Sequence, residues 1–302
     1  MYRIERLAPL IGAMVTGPLG IVHLPRMWLK SILSAAGMLY GGYFDNYKGF
    51  NQRVVDGLGL EPDAWFAFLA TMPSYPQAED YVRAHASKLD PASIAVLNAD
   101  ILTFPRPEEN AAAVRARVGI DDPSFHNSAQ LLNFDDWFTM HHELVTHRAA
   151  GIEPIVPMVS SSQSGMLEVP HLPRLWFKAL LAAVNALPEG WKTGTNCGFD
   201  KRLAGMIGLD LVAACAFIGA ELPNYLQFEH WVRERIAQPD AATKAQWTAE
   251  ILALQKPQEQ ATEELVEAGA PGLSVRGVIL LNDMVDWKHM HDDIVAQRVA
   301  RT

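Results

Sequence analysis

Only two cysteines occur in the 302 residues, Cys197 and Cys215. Two lone thiols supply neither a disulfide framework nor a CxxC zinc pattern, and they suit a reducing cytoplasm. Basic residues are the minority, 25 Lys and Arg against 34 Asp and Glu. A net charge of −9 speaks against nucleic acid, whose phosphates demand clustered cations, and against an anionic membrane surface. No uninterrupted apolar run is long enough to span a bilayer. Residues 7–22 are apolar and follow Arg3 and Arg6, as in a signal peptide, but Pro9, Gly12, Gly17, Pro18 and Gly20 break them up. Alternating β-type patterning is nearly absent, with residues 155–159 the best strand candidate. GxGxxG, P-loop, GxSxG and HExxH motifs are also missing. His142-Glu143 followed by His147 misses the zinc-protease spacing by one residue. These absences weigh against nucleotide enzymes, serine hydrolases of the common fold and the usual zinc proteases, and no cofactor is expected.

What the chain does have is repetition. His23, Leu24, Pro25, Arg26, Trp28 and Lys30 return as His171, Leu172, Pro173, Arg174, Trp176 and Lys178, an offset of 148 residues. Asp136, Trp137, Met140, His141, Glu143, Val145 and Arg148 return as Asp286, Trp287, Met290, His291, Asp293, Val295 and Arg298, an offset of 150. Pro9, Gly17 and Leu19 line up with Pro157, Gly165 and Leu167, so the apolar N-terminal stretch is expected to be part of the fold. Two copies of this length each match a usual domain, and 49% apolar residues give ample material for a core.

Helical signals dominate both copies. Apolar spacing and proline punctuation predict helices over 63–69, 75–87, 90–101, 107–118 and 134–149, then over 172–187, 201–207, 209–220, 224–236, 240–254, 257–268 and 278–300. A helix also starts at Pro25, which its first turn tolerates. The expected fold is all-α: two homologous helical domains, residues 1–150 and 151–302, packed with pseudo-twofold symmetry about a shared cleft.

A further shared block reads Gly49-Phe50-Asn51-Gln52-Arg53 with Leu58-Gly59-Leu60, and Gly198-Phe199-Asp200-Lys201-Arg202 with Ile207-Gly208-Leu209. A Leu-Pro-Arg-x-x-x-Lys helix start, a Phe-Asp-x-Arg-like block and an apolar-Gly-apolar turn, in that order, resemble the small bacterial domain-of-unknown-function family 5069. The chain departs from that pattern in holding two copies and in carrying Asn51 where the pattern has an acid, kept as Asp200. The resemblance implies a compact, mainly helical domain and carries no activity with it.

Several residues are candidates for chemistry. His23 and His171 precede a helix start, where free N–H groups attract anions. Arg26 and Lys30, with Arg174 and Lys178, share a face of that helix, so these six residues form a candidate carboxylate-binding set; the bland reading is a capping His with paired surface cations. His141 and His291 lie four residues after Trp137 and Trp287. An imidazole against an indole is partly desolvated and kept neutral, which suits an acid–base role; the bland reading is a satisfied core histidine. His289 and Asp293, four apart, form an alternative metal pair. Asp200 is expected to cap a helix, and with Arg202, Asn51 and Arg53 to fix a loop. The expected function is a cofactor-independent acid–base enzyme of lyase or isomerase type. It would act on a small, partly apolar, anionic molecule between the copies, with His141 and His291 as acid and base. The competing readings are a metal enzyme using His289, Asp293 and a histidine of the other copy, and a non-catalytic ligand-binding or scaffold protein, with a homo-oligomer possible in each case.

Overall fold

The computed structural model describes residues 1–237 and 239–301. Its first half holds α1 (Leu24–Ala35), α2 (Gly49–Leu58), α3 (Pro62–Leu69), α4 (Tyr75–His85), α5 (Pro91–Thr103), α6 (Glu108–Val118) and α7 (Ser128–His147). The second half holds α8 (Leu172–Ala183), α9 (Gly198–Ile207), α10 (Leu211–Glu221), α11 (Tyr225–Arg233), α12 (Ala241–Ala253), α13 (Gln258–Glu267) and α14 (Val278–Arg301). The fold is all-α, as the periodicity predicts, and the described residues form isolated β-bridges but no strand. Residues 155–159 are therefore not a strand. Pro154 and Pro157 remove two N–H donors, and Ile155 N–H instead donates to the Ala186 carbonyl after α8. Helix α2 starts at Gly49, inside the block read above as a loop. No single helix among the described residues is long and apolar enough to cross a membrane.

Helices α1 and α8 are buried from Leu24 to Leu33 and from Leu172 to Leu181, charged residues included. The His23 and His171 that precede them sit in the left-handed region, with φ of 67° and 74°, and neither side chain caps its helix. That backbone costs roughly 1–2 kcal/mol for a residue with a Cβ. It aims both imidazoles inward, where each gains a buried hydrogen bond, described below.

Residues at matching offsets make matching contacts. Arg26 Nη1 donates to the carbonyls of Pro9 and Ile11, and Arg174 Nη1 to those of Pro157 and Val159. Arg26 pairs with Asp136 on α7, and Arg174 with Asp286 on α14. Trp28 Nε1 donates to Pro73 O, and Trp176 Nε1 to Pro223 O. Gly17 and Gly165 lie so close to the Tyr75 and Tyr225 hydroxyls that any Cβ there would clash. Residues 7–22 are packed in the interior, with Ile11, Ala13 and Ile21 fully buried.

The halves share one continuous apolar core. The two long helices cross between them: Trp287 of α14 packs edge-on against Tyr75, and Trp137 of α7 against Tyr225. A fully buried tryptophan of this kind contributes upwards of about 2 kcal/mol from apolar area alone.

Asp136→Ala leaves Arg26 buried without its counter-ion. We expect a loss of about 3–5 kcal/mol of unfolding free energy, read from urea denaturation; a loss no larger than that from breaking the exposed Arg3–Glu153 pair with Arg3→Ala would refute the role given to this ion pair.

Candidate functional site

Each half holds a cavity, of about 760 Å³ in the first and 740 Å³ in the second. Both volumes suit a small ligand. His23, Arg26 and Lys30 line the first, and His171, Arg174 and Lys178 the second. The structure therefore brings the six expected anion-site residues to cavities, but in two separate sets of three. His141 and His291 line neither cavity. Where a cleft between the copies was expected, these two histidines are part of the packing. His141 Nε2–H donates to Leu222 O at 2.8 Å and His291 Nε2–H to Met72 O at 3.0 Å, each reaching into the opposite half. Leu222 and Met72 both have positive φ, 47° and 60°, at the turns before α11 and α4. The imidazoles thus tie down strained turns. Burial pushes the His141 pKa down, which keeps the ring neutral for this bond.

His289 and Asp293, the alternative metal pair, line one cavity of about 520 Å³ with Trp191 and Glu153. His289 Nε2 bonds Glu267 at 2.8 Å and its ring meets Trp191 edge-on. Among the described residues no group of three or more His, Cys, Asp or Glu is arranged to hold a metal ion. Asp200, expected as a helix cap, lies inside the first turn of α9 and is fully buried. It accepts from His171 Nε2 and Lys178 Nζ, each at 2.8 Å, and from Gly194 N–H at 2.8 Å. The Gly194 hydrogen bond fixes the loop before α9, and the Lys178 ion pair ties Asp200 to α8.

The two guanidiniums expected to hold an anion are occupied. Arg26 is committed to Asp136, Pro9 O and Ile11 O, and Arg174 to Asp286, Pro157 O and Val159 O. They form the floor of each cavity and tie three segments together.

The cavities differ in charge. In the second half four cations (Arg174, Lys178, Lys192, Lys256) face four carboxylates (Glu189, Glu264, Glu267, Asp286). In the first half six cations (Arg26, Lys30, Lys48, Arg53, Arg106, Arg117) face only Asp56 and Asp135. Arg26, Arg53 and Arg117 pair with Asp136, Asp100 and Asp135. Lys30, Lys48 and Arg106 have no carboxylate ion-pair partner among the described residues.

Each of these differences traces to a matched position. Lys256 pairs with Glu264 and bonds Asn282 at 2.7 Å. At the same offset stand Arg106, Val114 and Leu132, so neither polar partner is matched, and the buried Nη1 of Arg106 has no hydrogen-bond partner. His171 Nδ1 bonds Ser161 Oγ at 2.9 Å; Ala13 stands at the matching place, and His23 Nδ1 is a buried nitrogen without a partner. Asp200 becomes Asn51. Asn51 Nδ2–H donates to Asn46 O at 3.0 Å, so Oδ1 is the atom that faces His23 Nε2, at 3.1 Å, and Lys30 Nζ, at 2.7 Å. An amide oxygen satisfies these donors without neutralising the ammonium. Burial, and then the charge of Arg26, push Lys30 down to about 7. Burial also holds His23 well below its ordinary value, with Lys30 and Arg26 adding to the effect. The walls are partly aromatic: Phe50 and Phe104 meet edge-on, and the Arg53 guanidinium lies 4.0 Å over the Phe104 ring.

Tyr43 and Arg106 were missed by sequence reasoning. The signal lay in comparing the copies position by position. Tyr43 Oη donates to Asp136 Oδ1 at 2.6 Å where Trp191 Nε1 donates to Asp286 Oδ1 at 2.9 Å.

The chain matches no family model, no curated protein and no solved structure.

Two outcomes follow from these contacts. His141→Ala leaves a turn carbonyl without its donor and should cost about 1–3 kcal/mol of stability, and His291→Ala the same; denaturant melts in which both match the parent would rule out the tethering role. Burial holds His171 at about 4, below its ordinary 6.5, although Asp200 pulls it upward. The unfolded chain therefore takes up this proton first on acidification. The contribution is complete above about 6.5 and is lost as pH falls towards 4. The melting temperature of His171→Gln should therefore fall less steeply than the parent's across that window, and parallel curves would exclude the assignment.

Proposed function

We propose that the chain is a cofactor-independent acid–base enzyme of lyase or isomerase type, acting on a small, partly apolar, anionic molecule in the first-half cavity. The observation that carries this reading is the uncompensated positive charge there. A buried guanidinium nitrogen without an acceptor is costly, and so is a buried ammonium whose nearest partner is neutral. Both costs fall when an anion enters, so the site favours a carboxylate or a similar group over water.

Lys30 is the proton-transfer group in this proposal, with neutral His23 beside it on the shared Asn51 oxygen. A base serves best when its pKa lies near the working pH, and Lys30 meets that condition. His141 and His291, the expected acid–base pair, line neither of these two cavities and hydrogen-bond backbone carbonyls, so the proposal gives the proton transfer to Lys30. The second half, with balanced charges, contributes the scaffold.

The same proposal includes the origin of the asymmetry. The chain is a tandem duplication of one helical domain, with residues 1–150 and 151–302 related by a pseudo-twofold axis, and each copy belongs with the domain-of-unknown-function family 5069. The matching contacts of Arg26 and Arg174, and of Trp28 and Trp176, support it. Divergence at Asn51 and Asp200 would then have left one copy for ligand and the other for stability. The free thiols of Cys197 and Cys215 support a place in the reducing cytoplasm.

Titration calorimetry with small carboxylates, aliphatic and aromatic, tests the reading. Saturable binding should weaken by about ten-fold, roughly the 1.4 kcal/mol of one charge-assisted hydrogen bond, in Arg106→Met. Binding at about pH 8 should also take up a proton, because an anion restores the Lys30 charge, and heats measured in two buffers report it. Binding that is absent, or unaffected by Arg106→Met, would end the proposal.

A further inference from the structure

We propose that Lys30 is a nucleophile that forms an imine with a small carbonyl compound carrying an anionic group, such as a 2-oxo acid. The inference rests on the reading of the first-half cavity as an anion site and adds covalent chemistry to it.

The geometry separates Lys30 from its counterpart. Lys178 Nζ is held by Asp200 at 2.8 Å, by Lys192 O at 3.0 Å and by Cys197 Sγ at 3.3 Å. Three acceptors, one of them a carboxylate, hold it as a coordinated ammonium. Lys30 Nζ has the Asn51 amide oxygen at 2.7 Å. The residue is 7% exposed and lines the cavity. An amine attacks a carbonyl only through its free lone pair, so the decisive quantity is the cost of being charged. Arg26 lies on the same helix face and opposes that charge; Asp136 and Asp45 offset it in part from a distance, but among the described residues no carboxylate forms an ion pair with Lys30. The lowered proton affinity agrees with the geometry.

The covalent step needs no further reagent. The Lys30 nitrogen attacks the carbonyl carbon as the C=O π bond opens, and the N–H proton moves to oxygen, giving a carbinolamine. That hydroxyl then leaves as water, taking one proton, while the nitrogen lone pair closes the C=N bond. His23, neutral and sharing the Asn51 oxygen, is the group placed to pass these protons. The proton that completes the departing water comes from solvent, so the iminium carries one positive charge that the neutral amine did not, and the substrate's own anionic group, facing Arg106 and Lys48, supplies a counter-charge close to it. An iminium draws electrons from the adjacent C–H or C–C bond. Lyase or isomerase chemistry of the kind proposed above would proceed through it.

The full chain, incubated with pyruvate and then sodium cyanoborohydride, is digested and mapped by mass spectrometry, and propionate binding is measured in parallel. We expect one reduced adduct on Lys30 and none on Lys178. The rate of labelling against pH should rise through a midpoint near 7, while exposed lysines rise only towards about 10.5. Asn51→Asp, which supplies the carboxylate found in the second half, should cut Lys30 labelling by roughly ten-fold or more, as a rise of one pKa unit implies, and Asp200→Asn should bring Lys178 into reaction. If Asn51→Asp fails to fold, the pH profile of the parent chain decides alone. Propionate binding with no adduct at Lys30, or labelling only at exposed lysines with their high midpoint, overturns the imine and leaves the anion site standing. Absence of both propionate binding and adduct overturns both.

Discussion

Arg26 and Arg174 are almost wholly buried ions at the base of a cavity, and the architecture is arranged around keeping them compensated. Each guanidinium receives a carboxylate from the last long helix of its half and two carbonyls from the irregular segment that opens it. A buried charge tolerates no half-measures: with every partner in place it costs little, and with one missing it costs several kcal/mol. Segments far apart in sequence are therefore held at fixed positions by one planar, five-donor group. The Pro- and Gly-rich openings, which have no regular secondary structure to satisfy their carbonyls, depend on this bond.

On that base the two halves interlock. Helices α7 and α14 each carry a tryptophan and a histidine into the opposite half, and each histidine accepts responsibility for one strained turn. These are the residues whose recurrence in the sequence suggested catalysis. Recurrence alone does not separate a paired chemical role from a paired packing role, since both require the same residue at both places. What separates them is where the ring nitrogens point, and here they point at backbone carbonyls.

The function proposed rests on small departures between matched positions of the two halves. Ser161, Asp200, Glu264 and Asn282 close the polar circuit of the second half. With Ala13, Asn51, Val114 and Leu132 at the matching places, Lys30 and Arg106 have no carboxylate ion-pair partner among the described residues, and Asp45, Asp135 and Asp136 act on them only from a distance. In the proposed reading, stability and reactivity oppose each other at this position. An aspartate next to the helix-α1 lysine would make a firmer core and an inert ammonium. An asparagine there keeps the hydrogen bonds and gives up the charge balance, and a ligand then has something to supply.

The helical class, most helix positions and the recurrence of motifs were legible in the sequence because they depend on local spacing: apolar residues every three or four positions, prolines at helix starts, and blocks repeated at fixed offsets. The involvement of His23, Arg26 and Lys30 in one face was legible for the same reason. Helix α2 was not, since Gly49 and Asn51 are poor helix formers whose placement is set by contacts to α1. The division into two separate cavities, the commitment of Arg26 to Asp136, and the isolation of Lys30 and Arg106 were beyond local reading. They depend on which residue from over a hundred positions away sits beside each cation. The amino-acid order by itself determined the helices and the doubled motif. Only the tertiary structure decided which charges were compensated, because electrostatic balance inside a core is a property of neighbours in space.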